Sequence, residues 1–412
     1  MPQDSGDRTQ GGQPPHPEQP RSADQPYAAD QPDATQQLYA AGQPYHATEQ
    51  PHPGATRTGR HGKRRRGRGR SMKIAAWSLL GFLLLGGGLG ALWMTHLNSN
   101  LKGVDVDAAL GDDRPGGARG GAMNILLLGS DSRAGTHGQY GKDTGGARAD
   151  TAMVLHVDKS HKRADLVSIP RDTEVDRPAC ADPKGGGSVP GEQKAMFNAS
   201  YQAGGPACTM KTVERMSGLR MDHYLQVDFK GFKKLVDELG GVDITTDKAI
   251  KDEDSHLSLE AGKHKLKGEQ ALQLVRTRHG VGDGSDLGRI QLQQEFLKSL
   301  IRQVDDIGLL GDPGKLYGLA DTATSSVTAD DDLASTGKLL SLAKDLKGID
   351  PEHLDARTLP VTYDPQNPER VLPLEKQSQQ VWQALRKDRP VPSSATANSV
   401  GDQNNSPVSS PH

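Results

Sequence analysis

One uncharged stretch, from Ile74 to Trp93, constrains this chain more than any other feature of its sequence. Its 20 residues are mostly Leu, Gly and Ala, and they include no Asp, Glu, Lys or Arg. A helix of this length can cross a hydrocarbon core about 30 Å thick, and Trp77 and Trp93 suit the two interfaces. A buried helix of a soluble protein and a cleaved signal peptide are the alternatives, which the length and the basic N-terminal flank disfavour. We therefore predict one transmembrane helix over residues 74–96.

The charges around this stretch predict its orientation. Eight Lys and Arg side chains lie between Arg60 and Lys73. Because Lys and Arg accumulate on cytoplasmic flanks, we expect a single-pass cell-membrane protein with residues 1–73 in the cytoplasm and the remainder extracellular. Residues 1–73 hold 11 Lys and Arg against seven Asp and Glu, a net charge of +4. Because the whole chain has a net charge of −2, the remaining residues carry a net charge of −6. Beside a membrane, the basic run favours an anchor on anionic lipid over a nucleic-acid patch, and we predict no nucleic-acid partner.

Composition shifts divide the rest of the chain. Residues 1–73 are rich in Pro and Gln and lack apolar periodicity, so they are predicted to form a disordered cytoplasmic tail. Residues 97–121 are rich in Gly and Asp and are predicted to be a linker, and residues 388–412 are predicted to be a second disordered tail. Residues 122–387 are long enough for one sizeable folded domain.

Regular hydrophobic patterns in residues 122–387 predict both strands and helices. Short apolar runs predict strands, and apolar residues at intervals of three and four predict helices, of which Arg289 to Val304 is the clearest. This mixture predicts an α/β (α+β) fold, a three-layer α-β-α domain with a central mixed sheet, preceded by the transmembrane helix. The predicted strands are 123–128, 151–157, 164–169 and 242–245, and the predicted helices are 229–239, 268–275 and 289–304.

The two cysteines, Cys180 and Cys208, both fall on the predicted extracellular side. An oxidising exterior favours a disulfide between them, and two free thiols are the alternative. A metal-binding or catalytic cysteine is disfavoured because the sequence has no Cys-x-x-Cys pattern.

Charged residues recur where the predicted strands and helices begin or end. Taken singly, each of them fits a solvated loop, but the set as a whole predicts a binding site, because ligands of sheet proteins bind at strand ends. The set comprises Asp131, Arg133, Arg148, Asp150, Arg171, Asp172, Arg276, Arg278, Asp286 and Arg289.

The residue types in this set fit one class of ligand. Arginines offer bidentate donors to phosphate oxygens, and aspartates beside a phosphate favour a bridging Mg²⁺ ion. Arg289 lies in the first turn of a predicted helix, where a bound anion would offset the unfavourable helix dipole, and Gln293 lies one turn further on the same face. The residues therefore predict a Mg²⁺-assisted diphosphate site. An ATP site is disfavoured because the chain has no Gly-x-x-x-x-Gly-Lys-Ser/Thr motif.

The order and spacing of these motifs closely resemble the LytR-CpsA-Psr family from about residue 122 to residue 305. The motifs are Asn124-Ile-Leu-Leu-Leu-Gly-Ser-Asp-Ser-Arg133, Arg148-Ala-Asp-Thr151, Ser168-Ile-Pro-Arg-Asp-Thr173, Asp222-His-Tyr224, Val227-Asp-Phe229 and Gly284-Ser-Asp-Leu-Gly-Arg-Ile290 with Gln293-Gln294. The chain departs from the family pattern in two places. Met196 stands where members often carry a Lys, with Lys194 two residues before it, and the segment from Arg278 to Asp286 is about one residue longer.

The resemblance implies a phosphotransferase that attaches a glycopolymer, carried on a polyprenyl diphosphate, to the 6-hydroxyl of N-acetylmuramic acid in peptidoglycan. It implies Mg²⁺ at Asp131 and Asp150, with the lipid tail held in the apolar interior of the domain. It also implies Arg171, Asp172, Asp286 and Arg289 as catalytic residues, with Asp172 and Asp286 as candidate general bases. The residues implied to hold the diphosphate are Arg148, Arg171, Arg276, Arg278, Arg289 and Gln293.

Two other functions fit the same sequence. One is a non-enzymatic envelope regulator or polyprenyl-phosphate-binding protein, and the other is a polyprenyl-diphosphate phosphatase. The complete set of aspartates and arginines favours a catalyst over a protein that only binds its ligand. A DNA-binding regulator would need a cytoplasmic binding element, and residues 1–73 show no helical periodicity.

Overall fold

The structure is a computed structural model that describes residues 87–118, 120–130, 149–183, 185, 187–282, 284–306, 312–403 and 406–409. The predicted cytoplasmic tail, most of the predicted span over 74–96, and Asp131, Arg133 and Arg148 lie outside these residues. Within the described part of the chain, no helix combines the length and the apolar character needed to cross a membrane.

The described chain contains both strands and helices. The strands are β1 Lys102–Val104, β2 Met123–Ser130, β3 Ala149–Val157, β4 Ala164–Ser168, β5 Glu174–Arg177, β6 Cys180–Ala181, β7 Ser188–Val189, β8 Glu192–Met196, β9 His223–Asp228, β10 Val242–Thr246, β11 Ile250–Asp252, β12 Leu257–Leu259, β13 Gly262–Leu266, β14 Val327–Asp330, β15 Leu354–Thr358, β16 Val361–Tyr363, β17 Val371–Pro373 and β18 Val408–Ser409. The helices are α1 87–100, α2 Asp107–Leu110, α3 Ala199–Ser217, α4 Phe229–Glu238, α5 Gly268–Arg276, α6 Asp286–Asp306, α7 Pro313–Ser326, α8 Thr336–Lys347, α9 Glu375–Arg386 and α10 Val400–Gln403.

A seven-stranded mixed sheet forms the centre of the domain, in the order β1-β14-β9-β2-β3-β4-β15. Strand β2 runs antiparallel to β3 and parallel to β9, and β3 runs antiparallel to β4. The predicted hairpin of residues 151–157 and 164–169 is therefore confirmed as β3 and β4.

Alternation along β2 shows why the sheet carries helices on both faces. Leu126 belongs to a buried cluster that includes Trp382 of α9 and Met210 of α3. The next residue, Leu127, points the other way and packs against a different buried cluster, as do Leu297 and Ile301 of α6. Because successive strand side chains alternate between faces, one apolar run supplies two cores. The predicted mixed α/β fold with a central mixed sheet is confirmed.

Two segments predicted to lack structure are ordered where the structure describes them. In the predicted linker over 97–121, β1 pairs in parallel with β14, and Leu97 and Leu110 are buried. In the predicted disordered tail over 388–412, Val391 and Val408 are buried, and β18 pairs with β10. Both predictions are wrong for the described residues, because each segment has too few apolar residues to form a core but enough to complete an existing one.

The predicted disulfide between Cys180 and Cys208 is present and joins β6 to α3. Gly204 lies directly against it, because a Cβ at that position would come within 2.7 Å of the Cys208 Cβ. A side chain at Gly204 would therefore have to displace the bridge or the backbone of α3.

Candidate active site

The register of the central sheet gathers the predicted site residues at one edge. Strand β2 ends at Ser130, which pairs with Asp228 at the end of β9 and lies beside the start of β3. Because β4 runs antiparallel to β3, its C-terminal end returns to the same edge, and Arg171 follows two residues after Ile169. Asp150 and Arg171 are thus neighbours, although 20 residues separate them in the chain.

Arg171 lies at the centre of a cluster of carboxylates. Its Nη1 atom donates to Asp150 Oδ1 at 3.0 Å, and its Nε atom lies 3.4 Å from Asp172 Oδ2 and 3.5 Å from Asp286 Oδ1. Desolvation lowers the pKa of Arg171, but the attraction of Asp286, Asp172 and Asp150 outweighs it and raises the pKa above the ordinary arginine value. The guanidinium is therefore held in its charged form.

Arg289 is a second, more deeply buried cation in the same cluster. It is 4% exposed, forms an ion pair with Asp286, and donates from Nη2 to the backbone carbonyl of Asp150 at 3.1 Å. Desolvation lowers the pKa of Arg289 even though Asp286 opposes the shift. The Arg289 Nε atom has no hydrogen-bond partner. A buried guanidinium with an unused donor, placed in the first turn of α6, favours a bound anion.

The end of α5 brings further cations to this edge. The Arg276 guanidinium carbon lies 4.9 Å from the centroid of the Phe229 ring, and the Arg278 guanidinium forms no ion pair with a described residue. Gln293 donates from Nε2 to the carbonyl of Val275 at 3.0 Å, which leaves its buried Oε1 without a hydrogen-bond partner.

A cavity of about 530 Å³ opens between these charged residues and the helices on one face of the sheet. One part of its lining is apolar and comes from α4, α5 and α6, where it includes Phe232, Leu235, Leu272, Phe296, Leu297 and Leu300. The predicted site residues that line it are Asp150, Arg171, Arg276, Arg278, Arg289 and Gln293. An anionic group on an apolar chain is the ligand that such a lining fits best.

Asp172 and Asp286 form ion pairs with Arg171, which lines the cavity, but they do not line the cavity themselves. Burial raises the pKa of Asp172; Arg171 opposes this shift, and the charge of Asp286 adds to it. Asp286 forms ion pairs with both Arg171 and Arg289. The surroundings of Asp172 therefore favour taking up a proton.

The oxygen atoms of the described site fit part of a Mg²⁺ shell. Mg²⁺ in phosphate sites uses one or two carboxylates and completes its shell with water and phosphate oxygens. Asp150 offers one carboxylate at the cavity wall, and the other predicted ligand, Asp131, lies outside the described residues. Asp150 therefore fits as a single ligand.

The structure also places residues that the sequence motifs did not single out. Asp252, Asp254 and His279 line the cavity and form the one group of three potential metal ligands within mutual reach among the described residues. No local motif predicts them, because the β11–β12 hairpin meets the end of α5 only in the folded chain. Lys194 has a φ of 53° in β8 and is not among the cavity-lining residues.

Fold and site together define an α/β domain with a cavity whose lining combines arginines with apolar side chains. A sequence model of the LytR_cpsA_psr family matches residues 93–387 of the chain. The protein belongs to this family.

Relatives of known name agree with this assignment. The cell wall biosynthesis protein LcpA of Corynebacterium glutamicum is 32% identical over 307 residues, which cover 68% of this chain and 58% of LcpA. The polyisoprenyl-teichoic acid–peptidoglycan teichoic acid transferase TagT of Bacillus subtilis is 32% identical over 244 residues, or 56% of this chain and 69% of TagT. The chain spans 58% of LcpA and 47% of the probable cell wall biosynthesis protein LcpB of the same organism, so each of these relatives extends well beyond the matched part.

The crystal structure of B. subtilis TagV superimposes with a TM-score of 0.51 at 26% sequence identity. The superposition covers 66% of this chain and 98% of TagV. The superimposed part of this chain therefore corresponds to nearly the whole of that structure.

Proposed function

We propose that this protein is a phosphotransferase that moves a glycopolymer from a polyprenyl diphosphate to the 6-hydroxyl of N-acetylmuramic acid in peptidoglycan. The observation that carries the proposal is the composite cavity, in which Arg171, Arg276, Arg278 and Arg289 adjoin a wall of apolar side chains. A diphosphate fits the guanidinium groups, and a polyprenyl chain fits the apolar wall. The name of TagT, a teichoic acid transferase related over 56% of this chain, supports the same reaction class.

The transfer is balanced by one bond formed and one bond broken. The acceptor hydroxyl attacks the phosphorus that carries the glycan, and the bridging P–O bond of the diphosphate breaks to release polyprenyl monophosphate. Asp172 takes the hydroxyl proton, which its raised pKa favours. Arg171 and Arg289 stabilise the negative charge that develops on the phosphoryl and leaving oxygens. Mg²⁺, held by Asp150 and Asp131, would neutralise phosphate charge when bound.

We further propose that the domain is held outside the cell by the predicted span over 74–96. Helix α1 continues this stretch, and its Leu89 and Leu92 are 62% and 70% exposed. Large exposed leucines at the end of an apolar run fit burial in lipid. The cavity would then lie on the side of the membrane from which it can reach the lipid carrier.

A transfer assay tests the proposed function. Purified full-length protein in detergent is given Mg²⁺, a lipid-linked glycopolymer and peptidoglycan oligomers, and glycan attached to the oligomers is measured. We expect attachment together with release of polyprenyl monophosphate. Release of polyprenyl monophosphate and a free glycan phosphate without attachment would instead identify a diphosphatase, and binding of the lipid without any turnover would identify a carrier or regulator.

A further inference from the structure

We propose that Asp252 is a positioning residue that holds the backbone of Arg278 and His279 in place, so that Arg278 faces the diphosphate before it binds. This inference rests on the proposed function, because it assigns Asp252 a role in the recognition of that diphosphate. Asp252 lies outside every motif that resembles the family.

The Asp252 carboxylate is 2% exposed and accepts four backbone hydrogen bonds from two separate segments. Its Oδ2 atom accepts from the N–H groups of Arg278 at 2.8 Å and His279 at 2.9 Å. Its Oδ1 atom accepts from Asp254 at 2.9 Å and Ser255 at 3.2 Å within its own hairpin. Burial raises the pKa of Asp252, but these N–H groups outweigh burial and lower it, so the carboxylate is charged.

Neighbouring contacts join the same two segments. The hydroxyl groups of Ser255 and Thr277, both buried, are 2.8 Å apart, and Thr277 Oγ1 also donates to the carbonyl of Gln273. Gly280 has a φ of 81°, and a Cβ there would come within 2.8 Å of the Lys251 carbonyl oxygen. The β11–β12 hairpin therefore meets residues 277 to 280 at each successive position.

The position of this contact gives it a functional consequence. Helix α5 ends at Arg276, so Arg278 stands on a connecting segment that has no helix or strand to fix it. The Arg278 guanidinium forms no ion pair with a described residue, so the backbone contacts are what fixes the point from which its side chain extends. A binding side chain whose backbone is already fixed loses less conformational entropy when the ligand binds, and the ligand therefore binds more tightly.

The same geometry argues against a metal ion between Asp252, Asp254 and His279. N–H groups already occupy both Asp252 oxygens, while the side chains of Asp254 and His279 are 81% and 64% exposed. An ion would have to displace hydrogen bonds that the protein makes to its own backbone.

Binding measurements on the full-length protein test the positioning role. The probes are geranylgeranyl diphosphate and geranylgeraniol, which share a tail and differ in the diphosphate. In Asp252→Asn, the amide NH₂ cannot accept, so two backbone N–H groups lose their partner. We expect affinity for the diphosphate to fall about 10- to 100-fold and affinity for the alcohol to stay unchanged.

A double-mutant cycle with Arg278→Gln separates positioning from general damage. If Asp252 acts through Arg278, the double variant binds the diphosphate no more weakly than Arg278→Gln alone. The matched control is Asp158→Asn, since Asp158 likewise accepts backbone N–H groups, from Lys162 and Arg163, in the distant β3–β4 turn. We expect that control to lose stability and to keep both affinities.

Each outcome decides the proposal. Three results would overturn the positioning role while leaving the proposed function intact. They are an equal loss of affinity for diphosphate and alcohol, affinity losses that multiply in the double variant, and undiminished diphosphate binding in Asp252→Asn. If wild-type protein binds the alcohol as well as the diphosphate, the proposed function itself is wrong. If Asp252→Asn does not fold, Ser255→Ala replaces it, and a smaller loss confined to the diphosphate is expected.

Discussion

The Arg171 guanidinium donates to the Asp150 carboxylate at 3.0 Å, across the adjoining ends of β3 and β4. The same guanidinium also faces Asp172 and Asp286. One cation is therefore shared by three anions, and a phosphate that enters must compete with them for its donors. Charge brought to these carboxylates, such as a divalent cation at Asp150, would free Arg171 to bind the phosphate.

We expect Arg171→Gln to lower the rate of glycopolymer transfer by about 10²- to 10³-fold, because it removes a preorganised donor from the developing charge. Arg171→Lys should fail similarly, since an ammonium group cannot reproduce the planar fork. The transfer assay measures both. The control is Lys265→Gln, whose ion pair with Asp243 is exposed and outside the cavity lining. Normal transfer by Arg171→Gln would remove Arg171 from the proposed mechanism.

The pH dependence of transfer should follow the raised pKa of Asp172. Because burial raises this pKa above the ordinary 3.8, the acid limb of the rate profile should lie above that value. Asp172→Asn should lower the rate by about 10²- to 10⁴-fold and abolish the limb. An unchanged limb in that variant would assign the base to another residue.

Asp172→Asn should also increase stability at neutral pH. A carboxyl group whose folded pKa is raised contributes its stability below the unfolded pKa of 3.8 and loses it as the pH rises through the folded value. The wild-type protein therefore carries an unfavourable charge at neutral pH, which the variant lacks. Denaturant unfolding at neutral pH measures the difference, and a less stable variant would contradict it.

Two histidines, the buried His156 and the partly buried His223, should affect stability in opposite directions as the pH changes. Burial lowers the pKa of His156, despite its contact with Asp388, so its contribution is present above pH 6.5 and is lost as the pH falls below that value. Burial also acts to lower the pKa of His223, but its hydrogen bond to Asp330 raises it, so that contribution is lost as the pH rises. We expect His156→Gln to reduce the loss of unfolding free energy in acid and His223→Gln to increase it. Denaturant unfolding at about pH 7.5 and 5.5 measures the unfolding free energy of both variants and of the wild type. The same change in unfolding free energy between the two pH values in all three proteins would contradict the assignment.

The disulfide should contribute about 3 to 4 kcal/mol to the free energy of unfolding, since its cysteines are 28 residues apart in sequence. The variant with Cys180→Ser and Cys208→Ser should lose that amount, and chemical reduction of the wild type should reproduce the loss. Gly204→Ala should weaken the same region with both cysteines present, because its Cβ would approach the Cys208 Cβ. A double-serine variant as stable as the wild type would show that the bond adds nothing to stability.

Much of the architecture follows from the sequence alone. The apolar run of β2 and the amphipathic pattern of α6 are local signals, because a period of two or 3.6 residues is visible in a short window. The pairing of Cys180 with Cys208 also follows, since two cysteines on the predicted extracellular side allow only one intramolecular bond. Residue types at strand ends likewise identify Arg171 and Asp150 as site candidates.

Tertiary structure alone decides how those candidates are arranged. Asp286 reaches Arg171 across 115 positions of sequence, and that contact depends on the register of β3 and β4 and on where α6 begins. Asp252 shows no local signal, because its partners Arg278 and His279 approach only when the hairpin packs on the end of α5. The segments around Val106 and Val408 are ordered for the same reason, since each adds a few apolar side chains to a core formed by residues distant in sequence. Short-range patterns determined the elements of this protein, whereas long-range packing set the charge partners on which its site depends.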